Sequence, residues 1–332
     1  MVKLKIWIKC GGLLPLCLVF ITLKAQPSKI GLTGKPDTSF TNNSAFKQEI
    51  KNHPEIKLAD YKYPDVTANY GITYTSIGNR KLLIDAFVPK NKPGLKPAII
   101  IVFGGGWRSG NRTQHWPLAQ SLSHLGYVCF TPEYRLSTEA LFPAAVYDLK
   151  AAIRWVKANA VKYNVDPNKI VVSGFSAGGE LAALLATTGD MPLFEGNASN
   201  NNISTKVNGL IDMDGTLSFV HPESGEGNDV PKTSAATNWF GYSKADKPEL
   251  WLAASPLSYA DGNSPPSLFL NSSVARMHAG RDDYIKILNK HNIYTEVHEF
   301  EKSPHTFVLF SPWFDPMVNY MDNFIKKIFA QK

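Results

Sequence analysis

Short apolar runs alternate along the chain with stretches in which apolar residues recur every three or four positions, starting near residue 71. Residues 71–77, 82–88, 98–103, 127–131, 171–175, 209–213 and 294–300 read as strands, being short, apolar and bounded by turn-forming residues. Residues 114–125, 142–163, 180–187 and 283–290 read as helices. Within 142–163, Ala145, Leu149, Ala152 and Val156 fall at helical spacing and form one core-facing stripe. Strands and helices in turn imply an α/β fold, with a mostly parallel sheet covered on both faces. No internal repeat or heptad array interrupts the pattern.

The residues ahead of this region behave differently. Lys3, Lys5 and Lys9 precede an apolar run over 13–23 that ends near Ala25, so 1–25 reads as a signal peptide and export, to the periplasm, is expected. The run is too short to predict a membrane span. Residues 26–70, rich in Lys, Pro, Ser, Thr and Asn, read as an N-terminal arm, mobile or wrapped on the surface, before one domain over 71–332. A chain of 332 residues could hold two domains, but its 44% hydrophobic content suits one sizeable core. The formal charge of +7 includes Lys3, Lys5, Lys9 and Lys24, which leave with the signal, and no basic run interleaved with aromatics suggests nucleic acid. Cleavage would also remove Cys10 and Cys17, leaving Cys129 as a small buried hydrophobe in the strand 127–131. No clustered Cys/His spacing or His-Glu-x-x-His predicts a metal, and Glu223 and Glu226 read as solvated. No dinucleotide or phosphate-cradling glycine motif predicts a cofactor.

Candidate chemistry centres on Ser176. The strand 171–175 runs into Gly174-Phe-Ser176-Ala-Gly178 and then a helix, a turn that holds a serine hydroxyl exposed with only tiny neighbours tolerated. Upstream, the strand 98–103 delivers Gly104-Gly105-Gly106-Trp107 at its carboxyl end, where open α/β sheets place their sites. The N–H groups of Gly105, Gly106 and Ala177 are the candidate donors for an oxyanion. The bland alternatives are a glycine-rich turn that contains a serine and a flexible loop after a core strand. In the order serine, acid, histidine, the base lies downstream. His305 follows the last long strand, whereas His298 lies inside it and His291 near the end of a helix.

These motifs, together with Asp85-Ala-Phe-Val-Pro, Glu133-Tyr-Arg-Leu, the run 142–155 and Asp166-Pro-Asn-Lys-Ile, resemble an α/β-hydrolase of the bacterial carbohydrate-esterase type from about Gly71 onward. Ile211-Asp-Met-Asp-Gly, His221-Pro-Glu-Ser, Leu270-Asn-Ser-Ser, Met277-His-Ala-Gly-Arg-Asp-Asp and the run 304–314 resemble, more narrowly, the α/β-hydrolase-fold pectin methylesterases of gut bacteria. The resemblance implies an α/β-hydrolase fold with cap insertions. It also implies a secreted serine esterase acting on ester decorations of plant polysaccharide, methyl esters of pectic galacturonate foremost. Acetyl or feruloyl ester hydrolysis is the alternative. A non-catalytic binding protein or a peptidase on the same fold are the readings from other classes.

Two positions depart from the resemblance. Phe103 stands where many relatives carry a histidine that braces the glycine loop, and Ala275 and Arg276 stand in the loop where such relatives commonly carry the acid. The acid that fixes the tautomer of His305 must come from elsewhere. Asp282, later in that same loop, is the first expectation and Asp214, after the sixth strand, the alternative; a Ser–His dyad on a backbone carbonyl is the remaining arrangement. Asp283 and Asp212 are weighed beside them, with helix capping and turn formation as the ordinary roles of such residues. Residues 189–208 and 218–261 read as cap insertions whose Trp239, Phe240, Tyr242 and Trp251 either stack on sugar rings or pack the cap onto the body. Trp107, Arg276 and Arg281 are the expected substrate contacts, with Arg108 and His278 as further carboxylate binders and structural ion pairing as the alternative.

Overall fold

The computed structural model describes residues 31–90, 93–197 and 202–330, so the expected signal segment lies outside the described residues. The apolar runs become an eight-stranded sheet: β1 (Val66–Ile77), β2 (Arg80–Pro89), β3 (Lys96–Val102), β4 (Val128–Pro132), β5 (Val165–Phe175), β6 (Gly209–Met213), β7 (Ser267–Asn271) and β8 (Thr295–Glu299). Their order across the sheet is β1-β2-β4-β3-β5-β6-β7-β8. The β1–β2 and β2–β4 pairs are antiparallel, and every pair from β4–β3 to β7–β8 is parallel.

The middle of the sheet shows why its strands are apolar at consecutive positions. In β3, Ala98, Ile100 and Val102 enter one core while Ile99 and Ile101 enter the other, so both faces need apolar side chains. The first core is closed by α3 (Ala144–Ala158), α4 (Ala177–Thr187) and α5 (Arg281–Lys290), the second by α2 (Trp116–Leu125) and α6 (Phe314–Ala330). Ala145, Leu149, Ala152 and Val156 are all fully buried, as their spacing predicts, although the run 142–163 breaks at Asn159 into two helices. Cys129 is buried too, and burial pushes its thiol up to about 12, which leaves no reactive thiolate at neutral pH.

Residues 31–63 wrap the body. Asp37 bridges Ser109, α1 (Asn42–Glu49) starts at a Thr41/Ser44 capping box, and Lys57–Leu58 pairs with Phe310–Ser311. Tyr61 Oη donates to Asp315 at 2.6 Å. Of the two readings of the arm, surface wrapping describes these residues, and the sheet already begins at Val66 because that strand's partners extend to Pro89.

The cap segment 218–261 decides between the two readings of its aromatic residues in favour of packing. Trp239, Phe240 and Trp251 are buried in the first core and offer no face to a sugar. Burying a ring of that size contributes about 4–6 kcal/mol of gross hydrophobic stabilisation, a strong reason for it to be core. Tyr242 is half-buried.

Candidate active site

Three strand ends build the site, and the register brings two of them into step. Phe175 pairs with Met213 and Met213 with Leu270, and the ladder continues past the strands through Ser176 N–H to Met213 O (2.8 Å) and Asp214 N–H to Leu270 O (3.1 Å). Ser176 and Asp214 thus leave the sheet side by side. Ser176 takes φ 57°, ψ −121°, a backbone conformation costing about 1–3 kcal/mol for an L residue. The reversal into α4 explains the flanking glycines: a Cβ on Gly174 would lie 1.9 Å from Gly178 O, and one on Gly178 2.2 Å from Val102 O.

His305, in the loop after β8, closes the arrangement. Its Nε2 lies 2.8 Å from Ser176 Oγ and its Nδ1 2.9 Å from Asp214 Oδ2. Asp214 is fully buried. Burial alone would raise its pKa, but the imidazoles of His278 and His305 and the Ser272 side chain outweigh that and hold the carboxyl below the ordinary range; the Ser272 N–H also donates to Oδ1 at 2.8 Å. An ionised carboxylate only accepts, so Nδ1 of His305 carries the proton and Nε2 accepts from the Ser176 hydroxyl. His278 Nε2 stands 3.4 Å from Asp214 Oδ1, within ion-pair range but without hydrogen-bond alignment.

The expected acid, Asp282, is not at this position. It sits in the first turn of α5 with its side chain 71% exposed and accepts from Arg281 Nε at 2.9 Å. Asp283 pairs with Lys286 and His221. Both carboxylates are engaged by side chains of their own surroundings, Arg281 for Asp282 and Lys286 and His221 for Asp283, and neither bonds His305. Asp212 is buried with Oδ1 accepting from Gly215 N–H at 2.6 Å, and burial pushes its pKa well above the carboxylate range. His298 is held by Glu296 at 2.5 Å and stacked on Tyr320.

The glycine turn faces Ser176. Gly105 has φ 132° and a Cβ there would lie 1.9 Å from Ser109 O; Gly106 has φ 60°. Among the described residues, the amides of Gly105, Gly106 and Ala177 donate to no acceptor, and all three residues line one cavity with Ser176. Phe103 replaces the bracing histidine with a ring stacked on Tyr134. Gln114 supplies the brace instead: its Oε1 accepts from Gly104 N–H at 2.8 Å and its Nε2 donates to Gly104 O at 3.4 Å. Sequence reasoning missed Gln114, whose position ten residues on carries no motif.

The cavity holds about 310 Å³ and is also lined by Phe40, Trp107, Arg276, Met277 and His305. A larger groove of about 620 Å³ at Arg135, Tyr147 and Pro192 contains none of these reactive groups, so chemistry rather than size identifies the site. Of the expected substrate contacts, Arg276 lines the cavity, is exposed, and forms no ion pair among the described residues. Arg281 is committed to Asp282, Glu299 and Asn271. Trp107 lines the cavity but is 5% exposed, and its Nε1–H donates to Glu180. Among the described residues no cluster of three or more His, Cys, Asp or Glu could hold a metal.

Comparison with known proteins agrees with this architecture. The BD-FAE family model matches residues 84–279. The esterase LipQ of Mycobacterium tuberculosis is 30% identical over 236 residues, 70% of this chain and 55% of LipQ. The esterase LipC of the same organism is 29% identical over 199 residues, covering 58% and 47%. The match thus spans about half the length of these curated relatives. Among solved structures, a truncated carbohydrate esterase from gut microbiota superposes with a TM-score of 0.67 at 22% identity, covering 80% of this chain and all of that one. A thermophilic esterase from Thermogutta terrifontis reaches 0.63 at 25% identity over 80% and 93%. The fold is that of the α/β-hydrolases.

Proposed function

The chain belongs to the BD-FAE family, and from that premise we propose that it is an exported serine carboxylic-ester hydrolase that removes ester decorations from plant polysaccharide. The observation that carries the reading is the relay from Ser176 through His305 to Asp214, at 2.8 and 2.9 Å, beside three undonated amides. Ser176 Oγ attacks the ester carbonyl as its proton passes to His305 Nε2, and Asp214 stabilises the imidazolium. The carbonyl oxygen gathers charge against the N–H groups of Gly105, Gly106 and Ala177. His305 then protonates the departing alcohol, and water, deprotonated by His305, releases the acid from Ser176.

For the substrate we propose methyl-esterified galacturonate in pectin. The unpaired guanidinium of Arg276 at the cavity suits the carboxylate of a neighbouring uronate. A volume of about 310 Å³ lies at the low end for ligand pockets and suits a single decorated sugar unit. Phe40, Phe175 and Met277 in the same wall favour a second reading, an acetyl or feruloyl ester. Incubating the protein with de-starched pectin fractions and following methanol, acetate and ferulate separately decides between them. Methanol released by the wild type and not by Ser176→Ala is the expected result. Release of none of the three, or equal release by Ser176→Ala, overturns the esterase reading. Export is tested by the N-terminal sequence of the protein recovered from the periplasm, expected to begin near Gln26.

A further inference from the structure

The oxyanion pocket is assembled from two distant segments, the turn 104–107 after β3 and the first residue of α4, and something must hold them in register. We infer that Glu180 is the positioning residue that does so, tying the glycine turn to the nucleophile helix through the indole of Trp107; the inference rests on Ser176 being the nucleophile. Glu180 lies one helical turn past Ser176, its N–H donating to Ser176 O at 3.0 Å, so it moves with the nucleophile and with Ala177. Its Oε2 accepts from Trp107 Nε1–H at 2.8 Å. Trp107 directly follows Gly106 and sits at φ 55°, a backbone state that its own side chain does not favour and that contacts elsewhere must impose. Those contacts are the Glu180 hydrogen bond, a parallel stack on buried Trp239 with centroids 4.9 Å apart, a tilted contact with Phe219, and Ser137 N–H donating to Trp107 O at 2.7 Å; of these, only the Glu180 bond ties the turn to the nucleophile helix.

Stability alone does not account for this carboxyl. Glu180 is fully buried with no cation paired to it among the described residues, and Oε1 has no partner. A buried polar group of this kind costs stability that an apolar residue of similar volume would not. Trp107, Asp212 and Tyr134 face it. Burial pushes its pKa well above the ordinary range, because the charged form is poorly solvated there.

The test compares Glu180→Leu, Glu180→Gln and Trp107→Phe on p-nitrophenyl acetate, with folding checked by thermal melts. Glu180→Leu and Trp107→Phe should each lower kcat about 30-fold with KM within about threefold, because misplaced donors affect the transition state and not the bound ester. Binding of an arylboronic acid, in which Ser176 Oγ adds to boron, its proton passes to His305 and a boron-bound oxygen occupies the oxyanion pocket, should weaken by a similar factor. The double variant should be no slower than either single one. Glu180→Gln, which retains an acceptor oxygen, should recover activity to within about threefold of wild type. A folded Glu180→Leu or Trp107→Phe enzyme with wild-type kcat, or a Glu180→Gln enzyme as slow as Glu180→Leu, overturns the inference. If Glu180→Leu does not fold, Trp107→Phe alone decides. Ester turnover persisting in Ser176→Ala would instead overturn the esterase reading on which the inference stands.

Discussion

The loops that follow β6 and β7 lie side by side at one edge of the site, and each carries an acid, yet the two acids have opposite surroundings. Asp214, after β6, is fully buried and faces two imidazoles and a backbone amide. Asp282, after β7, is 71% exposed beside a single arginine. Taking a carboxylate out of water costs several kcal/mol, which only charge-assisted hydrogen bonds offset, whereas an exposed ion pair contributes about 0–1 kcal/mol. The loops have divided the labour between them. β6 brings the carboxylate, while the segment after β7 brings Ser272 N–H and His278 to hold it. The position of an acid in a loop therefore says less about its role than the number of groups that converge on it.

The strongest way to break this comparison is Asp214→Asn. We expect kcat to fall about 10⁴-fold, because an amide cannot enforce the Nδ1–H tautomer, with little change in KM. Steady-state kinetics on any turned-over ester reads this directly, and a variant within tenfold of wild type would remove Asp214 from the relay.

A second test uses pH, where two buried acids should behave with opposite sign. The folded pKa of Asp214 is depressed, so its contribution to stability is present above its unfolded pKa, about 3.9, and is lost as pH falls through the folded value. The Tm gap between wild type and Asp214→Asn should therefore shrink below about pH 4. Glu180 has a raised pKa, so the folded state retains a proton that the unfolded state loses, and stability falls as pH rises above about 4.3. Relative to wild type, Glu180→Gln should gain Tm between pH 4 and pH 8. Parallel Tm profiles for all three proteins would contradict both directions.

The smallest effect is expected at Asp282. Its substitution by Asn should leave kcat within about twofold and stability within about 0.5 kcal/mol, as for other surface changes. A large kinetic loss there would mean that the loop after β7 reaches the site in a way the hydrogen bonds to Asp214 do not suggest.

The parts of the site legible in the sequence are those that local backbone geometry dictates. Gly174, Ser176 and Gly178 are written in one pentapeptide because a reversal that tight admits no other side chains, and Gly104, Gly105 and Gly106 mark their turn in the same way. The continuously apolar strands likewise follow from the demand that both faces of β3 be apolar. What stayed hidden depends on partners far along the chain. Asp214 and His305 are 91 residues apart, and Trp107 and Glu180 are 73 apart. Asp214 precedes Gly215 and so carries the signature of an ordinary turn. Trp239, Phe240 and Trp251 were open between ring platform and core because composition does not distinguish an aromatic residue that faces a ligand from one that faces its neighbours.

The wrapping of residues 31–63 around the body has a consequence for the order in which the molecule is completed. Tyr61 reaches Asp315, and Thr306 reaches back to Glu49, contacts that span 254 and 257 residues. A ribosome adds about 5–20 residues per second, so Glu49 and Tyr61 wait on the order of tens of seconds for these partners. Phe40, which lines the reactive cavity, lies ahead of them, between Asp37, bridged to Ser109, and Asn42, whose Nδ2 donates to Gln114 O. The first-made wall of the cavity thus has its partners well before the C-terminal anchor of the same segment emerges.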